Sequence, residues 1–416
     1  MGNKLAPEIR YEGFTDSWEQ RKLIEMLAQP ITDGPHETPE LAEEGIPFIS
    51  VDAIVDNRID FARKRGFITE KYNDQCCKKY KPQFHDVYLV KSGSTVGKTA
   101  IVETHERFNI WSPLAAMRSG DKSEAYFLYY MLQTRSLQTQ VFDKCSHGTQ
   151  PNLSMRQLEQ FDVSRPSIEE QKKIGIFFKN LDNLITLQQR KLENVKKMKA
   201  GFLQKMFPKN GKNSPEIRFP GFTDAWEQRR LGDVVKMIGG ATPSKANKAY
   251  WDGDIVWLSS QEIKERYVSV GTYTITEKAV RESATKIVRA FTPLIVSRSG
   301  ILARMFPITL PTVDVAINQD IKALLFDSEI LDTDFLVSQL EMNENTILTS
   351  IVKTGTTVQS VSMPDFEKLI ISIPTIQEQQ KIGDTFKKLG NFITLYKREL
   401  DALRETKKAF LQKMFV

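Results

Sequence analysis

Residues 168–207 read IEEQKKIGIFFKNLDNLITLQQRKLENVKKMKAGFLQKMF, and residues 376–415 read IQEQQKIGDTFKKLGNFITLYKRELDALRETKKAFLQKMF. Of these 40 positions 22 are identical, at a constant offset of 208. A second matched pair lies upstream of each. Residues 7–23, PEIRYEGFTDSWEQRKL, and residues 215–231, PEIRFPGFTDAWEQRRL, share 13 of 17 positions at the same offset of 208. The chain of 416 residues is therefore two copies of one unit joined head to tail. Between the matched segments only scraps align: Ser92-Gly93 with Ser299-Gly300, Gly148-Thr149 with Gly355-Thr356, and Ser164-Arg165-Pro166 with Ser372-Ile373-Pro374. A retained frame around a free-running middle is the pattern of one scaffold carrying two different readers.

The downstream matched segment predicts a long helix in each copy. Ser167 is followed three residues on by Glu170, and Thr375 by Glu378, which is the spacing of a capping box. Pro166 and Pro374 discourage an earlier start. Apolar positions then step by four and three. They are Ile174, Phe178, Leu181, Ile185, Gln188, Leu192, Val195 and, after a slip, Phe202 and Met206 in the first copy, and Ile382, Phe386, Leu389, Ile393, Tyr396, Leu400, Leu403, then Phe410 and Met414 in the second. A period near 3.5 predicts a coiled-coil seam. At 1.5 Å per residue each helix is a rod of roughly 50–60 Å. The two segments hold nine Lys/Arg each against four and five Asp/Glu, and such a basic face suits solvent, nucleic acid or an acidic partner.

The divergent middles alternate short β-rich runs with short helices, which predicts an α+β domain in each copy. Candidate strands are 47–51, 86–90, 255–258 and 294–297, and candidate helices are 124–133 and 332–339. Basic residues gather on the predicted loops together with small polar ones. The candidates for contact with DNA are Arg58, Arg63, Lys64, Arg65, Lys91, Ser92, Lys98, Thr149 and Gln150 in the first copy. Those in the second are Lys245, Lys248, Lys286, Arg298, Ser299, Arg304 and Thr356. Lys and Arg serve phosphates, and Arg, Gln and Ser serve base edges.

Other classes find little support. The net charge of +6 permits nucleic-acid binding without demanding it. No stretch approaches the ~18 apolar residues of a membrane span. The opening MGNKLAPEIR has no apolar signal core, and Ala6 stands where a myristoylation signal needs Ser or Thr. The three cysteines, Cys76, Cys77 and Cys145, suit a reducing cytoplasm rather than a disulfide framework. The stretch from Gly93 to Thr99 has three residues between its glycines where a phosphate loop has four. Asp254 with Glu262 and Lys264 echoes nuclease spacing, but the first copy has no counterpart. Neither a catalytic set nor a metal site is expected.

Two repeats, each a variable domain followed by a capped long helix, resemble the specificity (S) subunit of Type I restriction-modification systems. The telling residues are Trp18-Glu19-Gln20-Arg21-Lys22-Leu23, Pro166–Ile174, Leu203–Phe207 and their partners 208 residues on, with Ser297–Gly300 and Asn318–Ile321 as typical phrases of the variable domains. The resemblance implies two target recognition domains in tandem, separated by two long helices that pair as an antiparallel coiled coil. The corresponding division is 1–165 and 166–207, then 208–373 and 374–416. Each recognition domain would read one half of an asymmetric split DNA site. The helices, through the seam residues named above, would set the spacer and dock two modification (methyltransferase) subunits, with two restriction subunits joining for cleavage. S-adenosylmethionine, ATP and magnesium would then belong to the partner subunits, and this chain would be a non-catalytic cytoplasmic component. A modification-only or related phage-defence complex is the alternative setting.

Overall fold

The computed structural model describes residues 5–146, 151–209, 211–355 and 358–416. The chain forms two compact units, one running to Gln189 and including Arg398–Val416, the other comprising Arg190–Lys397. The last turns of each long helix thus belong to the unit built mainly by the other copy. Both units are α+β, as the sequence predicts.

In the first unit, Thr32–Asp33, Leu114–Met117, Val87–Val90 and Thr99–Ile101 form an antiparallel sheet in that spatial order. The run VYLV is buried throughout, because this strand is covered on both faces. A second sheet has Ile46–Ile49 at its centre, antiparallel to Gly66–Ile68 and parallel to Asn109–Ile110. The predicted helix appears as Ala125–Met131, with the Glu124 carboxylate accepting from the Phe127 N–H at 2.7 Å. The second unit repeats the plan with larger sheets. Leu294–Val296 lies between Ile308–Pro311 and Ile321–Phe326, and Trp251–Leu258 runs parallel to Val315–Ile317. The helix Thr333–Met342 stands where Ala125–Met131 stands in the first unit.

The two retained segments meet in space. Glu19–Lys22 pairs antiparallel with Asp162–Arg165, and Glu227–Arg230 with Ile370–Ile373, in the same register shifted by 208. Each pair of strands leads straight into a long helix, Ile168–Lys205 or Ile376–Lys413. At the helix start, Glu170 is 1% exposed and accepts two bonds from the Arg10 guanidinium, at 2.7 and 2.8 Å. Glu378 and Arg218 repeat this at the same two distances, 2.7 and 2.8 Å. The predicted capping box is therefore half realised in the first copy, and in the second the Glu378 N–H bonds to the Thr375 carbonyl at 3.0 Å instead. Ser167 Oγ accepts from the Glu170 N–H at 3.3 Å, but the glutamate carboxylates are taken by arginines from the upstream segments. Charged, bidentate partners win because a buried carboxylate needs a counter-charge, which a backbone N–H does not supply.

The next residues lock the helix to its unit. Gln171 donates to the Pro166 carbonyl and accepts from the Glu124 N–H, both at 3.0 Å. Gln379 does the same with Pro374 and Asp332, also at 3.0 Å. One turn further, a Cβ on Gly175 would stand 2.4 Å from a Glu124 carboxylate oxygen, and one on Gly383 would stand 2.5 Å from Asp332 Oδ1. The glycine in KKIG and QKIG is thus required by a close approach of two helices.

Aromatic packing completes each frame. Trp18 packs edge-on against Phe127 and Phe415, and Phe415 lies tilted on Phe178. Trp226 packs likewise on Phe335 and Phe207, and Phe207 on Phe386. Phe415 and Phe207 end the two FLQKMF motifs, so the retained helix ends fill the retained aromatic cores. In the first unit the helices run antiparallel: Phe178 meets Phe415, Asp182 meets Lys407 at 2.7 Å, and Gln188 meets Glu399 at 2.5 Å. Ile174, Phe178, Leu181 and Leu192 are buried, as are Ile382, Phe386, Leu389 and Leu400, whereas Ile185, Phe202, Ile393 and Phe410 are half-buried. Ile174 and Phe178 bury largely against Trp18, Phe127 and Tyr130, so the first turns serve the domain core as well as the helix pair.

Arg218→Ala is expected to lower stability by about 3–5 kcal/mol in urea unfolding, because it strands the Glu378 carboxylate in the interior; a loss below about 1 kcal/mol would show that the pair does not hold the frame. Gly175→Ala should cost about 1–3 kcal/mol by overpacking, measured by thermal unfolding beside Gly201→Ala, where an added Cβ meets nothing within 4 Å.

Candidate nucleic-acid interface

Four loops converge at one edge of the sheets in each unit. The first follows the central strand. In the first unit it runs from Lys91 to Lys98, with Gly93 and Gly97 at φ +95° and +92°, a conformation that favours glycine. The second follows the Gly-Thr dipeptide, and backbone bonds clamp the two together. Leu153 N–H donates to the Lys91 carbonyl at 2.8 Å, and Gly93 N–H to the Pro151 carbonyl at 3.0 Å. In the second unit Val361 N–H donates to the Ser297 carbonyl at 2.8 Å, and Ser299 N–H to the Gln359 carbonyl at 3.1 Å. In both units the first loop is thus clamped to described residues beyond the Gly-Thr dipeptide, in a register that makes Arg298, not Ser299, the counterpart of Ser92.

The third loop follows the parallel strand, where Trp111 N–H donates to Ile49 and Asn318 N–H to Leu258, both at 2.9 Å. The fourth passes so close beneath it that a Cβ on Gly34 or Gly240 would stand 1.9 or 1.8 Å from the Ile110 or Ile317 carbonyl oxygen. Asn318–Ile321 joins the first loop through the Asp320 carbonyl, which accepts from Ser297 N–H at 2.7 Å and Ser297 Oγ at 2.9 Å.

The candidate residues distribute unevenly over this edge. In the second unit Arg298 and Arg304 are exposed on the first loop, and Ser299 Oγ accepts from the Ile301 N–H. Lys245 and Lys248 are exposed on the fourth loop, and Lys286 is exposed just before the strand Ile287–Val288, which borders Val315–Ile317. In the first unit Lys98 is exposed, Ser92 bridges Asn152, and Arg65 stacks its guanidinium 4.0 Å from the Trp111 ring. Lys64 sits over Phe67, and Arg63 pairs with Asp60. Thr149, Gln150 and Thr356 lie outside the described residues.

One candidate is corrected. Lys91 is 11% exposed and holds the fully buried Asp33 carboxylate at 3.3 Å, together with Lys79 and His36. Burial fixes it as a counter-ion; the strand register and the loop bonds make Ser297, not Arg298, its counterpart in the second unit. Arg58 is exposed and also reaches the long helix, donating to the Asp182 carbonyl at 3.2 Å and lining a cavity of about 240 Å³ with Tyr126, Tyr129 and Tyr130. Burial raises the Tyr130 hydroxyl well above the usual tyrosine range, and it donates to Asp182 Oδ2 at 2.9 Å. His36, Trp111 and Ser112 reach the edge without any motif or charge run to announce them. Among the described residues no group of three or more His, Cys, Asp or Glu could hold a metal ion.

Arg298→Ala should weaken duplex binding several-fold and reduce the slope of log affinity against log salt by about one. Lys91→Ala should leave that slope unchanged and lower the melting temperature. A reversed pattern in fluorescence-anisotropy titrations would overturn the assignment.

The sequence matches the model of the Type I restriction modification DNA specificity domain over residues 16–197 and 223–405. The Type I restriction enzyme EcoR124I/EcoR124II specificity subunit of Escherichia coli is 36% identical over 172 residues, a match spanning 40% of this chain and 42% of that protein. The MjaX type I restriction enzyme specificity subunit of Methanocaldococcus jannaschii is 23% identical over 95% of this chain and 92% of its own. The fold is similar to the crystal structure of a Type-I restriction-modification S subunit from M. genitalium, with a TM-score of 0.69, 14% identity and 99% of both chains covered. No described helix is long and apolar enough to cross a membrane. With both repeats matched, the chain belongs to the Type I restriction modification DNA specificity family.

Proposed function

We propose that the chain is the DNA-reading subunit of a Type I restriction-modification complex, in which each unit reads one half of an asymmetric, split DNA site. The observation that carries this reading is the edge of four converging loops. It is built by the same backbone bonds in both units and furnished with different side chains. Identical readers suit identical half-sites; these two share a frame and differ where they would touch bases.

The paired long helices set the spacer between the half-sites. They also offer a repeated docking surface. Leu184 and Leu187 are exposed on the first helix, and Phe392 and Leu395 are exposed at the matching positions, 208 residues on. A duplicated apolar pair suits two copies of one partner, the modification subunit, and two restriction subunits join that assembly. The chain itself is non-catalytic and works in the cytoplasm. S-adenosylmethionine, ATP and magnesium act on the partner subunits.

The test is an adenine-methylation map of host DNA with and without this gene, the co-encoded methyltransferase being present throughout. One asymmetric, bipartite motif should lose methylation in the deletion. A palindromic motif, or no change while the complex is expressed, would refute the two-reader mechanism.

A further inference from the structure

Where the third and fourth loops meet, the two units carry one side-chain pair in matching positions. Gly34 and Gly240 fix the alignment of the fourth loop, and the parallel strand pairs fix that of the third. His36 then corresponds to Thr242, and Ser112 to Gln319. In the second unit Thr242 Oγ donates to Gln319 Oε1 at 2.8 Å, and both side chains are exposed. In the first unit Ser112 Oγ lies 2.9 Å from His36 Nδ1, while His36 Nε2 lies 3.3 Å from Asp33. The same junction is thus open in one unit and saturated in the other.

We infer that Gln319 is a base-reading residue of the second unit, specific for adenine, and that Ser112 at the matching place reads no base. The inference rests on the DNA-reading function proposed above. The Thr242 hydroxyl holds the carboxamide in one orientation. One Oε1 lone pair and both Nε2 hydrogens stay free. That donor–acceptor pair matches N7 and the N6 amino group on the major-groove edge of adenine. Arg298 stands beside it, its own N–H donating to the Asp320 carbonyl at 3.3 Å, exposed and placed for a neighbouring phosphate. Ser112, by contrast, is buried and spends its hydroxyl on His36 and Asp33. Holding Gln319 in place beforehand lowers the entropy cost of the contact.

The test uses the chain in complex with its modification subunit and a randomised duplex DNA library, read by sequencing the bound fraction. Wild-type complex should select a bipartite motif with adenine at one position of one half-site. Gln319→Ala should reduce the preference at that single position by about tenfold or more, leaving the other half-site unchanged. Thr242→Val should relax the same position less, and Ser112→Ala should leave every base preference intact. An unchanged motif in Gln319→Ala overturns the inference. So does loss of all binding in Gln319→Ala that Gln319→Asn does not restore, since that marks a structural role. If wild-type complex selects no motif, the DNA-reading function itself fails and this inference with it.

Discussion

A buried glutamate in the first turn of each long helix organises this molecule. Glu170 and Glu378 sit where helix dipoles favour negative charge, yet the interior around them admits a carboxylate only with its arginine. Arg10 and Arg218 supply that charge from segments 160 residues upstream. The pairing draws the upstream strand onto the strand that precedes the helix. Trp18 and Trp226 are then delivered into the aromatic core, and the remaining gap has the shape of one phenylalanine. Phe415 fills it in the first unit and Phe207 in the second. The motifs PEIR, WEQR, EEQ or QEQ, KIG and FLQKMF all belong to this one joint. That explains why they persist together while the middles drift.

Away from the joint the two units show how a backbone plan survives the loss of sequence likeness. The loop clamps use main-chain N–H and carbonyl groups, which any residue provides. Side chains there are free to change role. Lys91 holds a buried carboxylate, and Arg298, on the matching loop, faces solvent. Asp182 takes Lys407 and Tyr130 in the first unit. At the corresponding Gly390 a Cβ would meet Arg266 Cδ at 3.1 Å, and that arginine is held by Asp334. Recognition can therefore diversify without disturbing the fold. The joint has no such freedom, because each of its side chains is the specific partner of another.

The long helices, the duplication and the α+β character were legible because they rest on local properties. Heptad spacing, caps and β-branched runs act within a few residues of each other. The predicted strands at 47–51 and 86–90 appear as Ile46–Ile49 and Val87–Val90 for that reason. The interface was legible only in part. Charge marked Arg58, Arg298, Lys245 and Lys248, which the fold leaves exposed, but it marked Lys91 equally, and its partner Asp33 lies 58 residues away in the chain.

By itself, then, the sequence determined that two copies of one unit exist, that each ends in a long helix, and that the middles serve different ends. Tertiary structure decided which glutamate is neutralised by which arginine and which helix end completes which core. It also decided which polar side chains are left free at the loop edge. Helix periodicity is a short-range property of the chain, whereas burial of a charge and the closing of a hydrophobic core are settled only by partners that folding brings from far away.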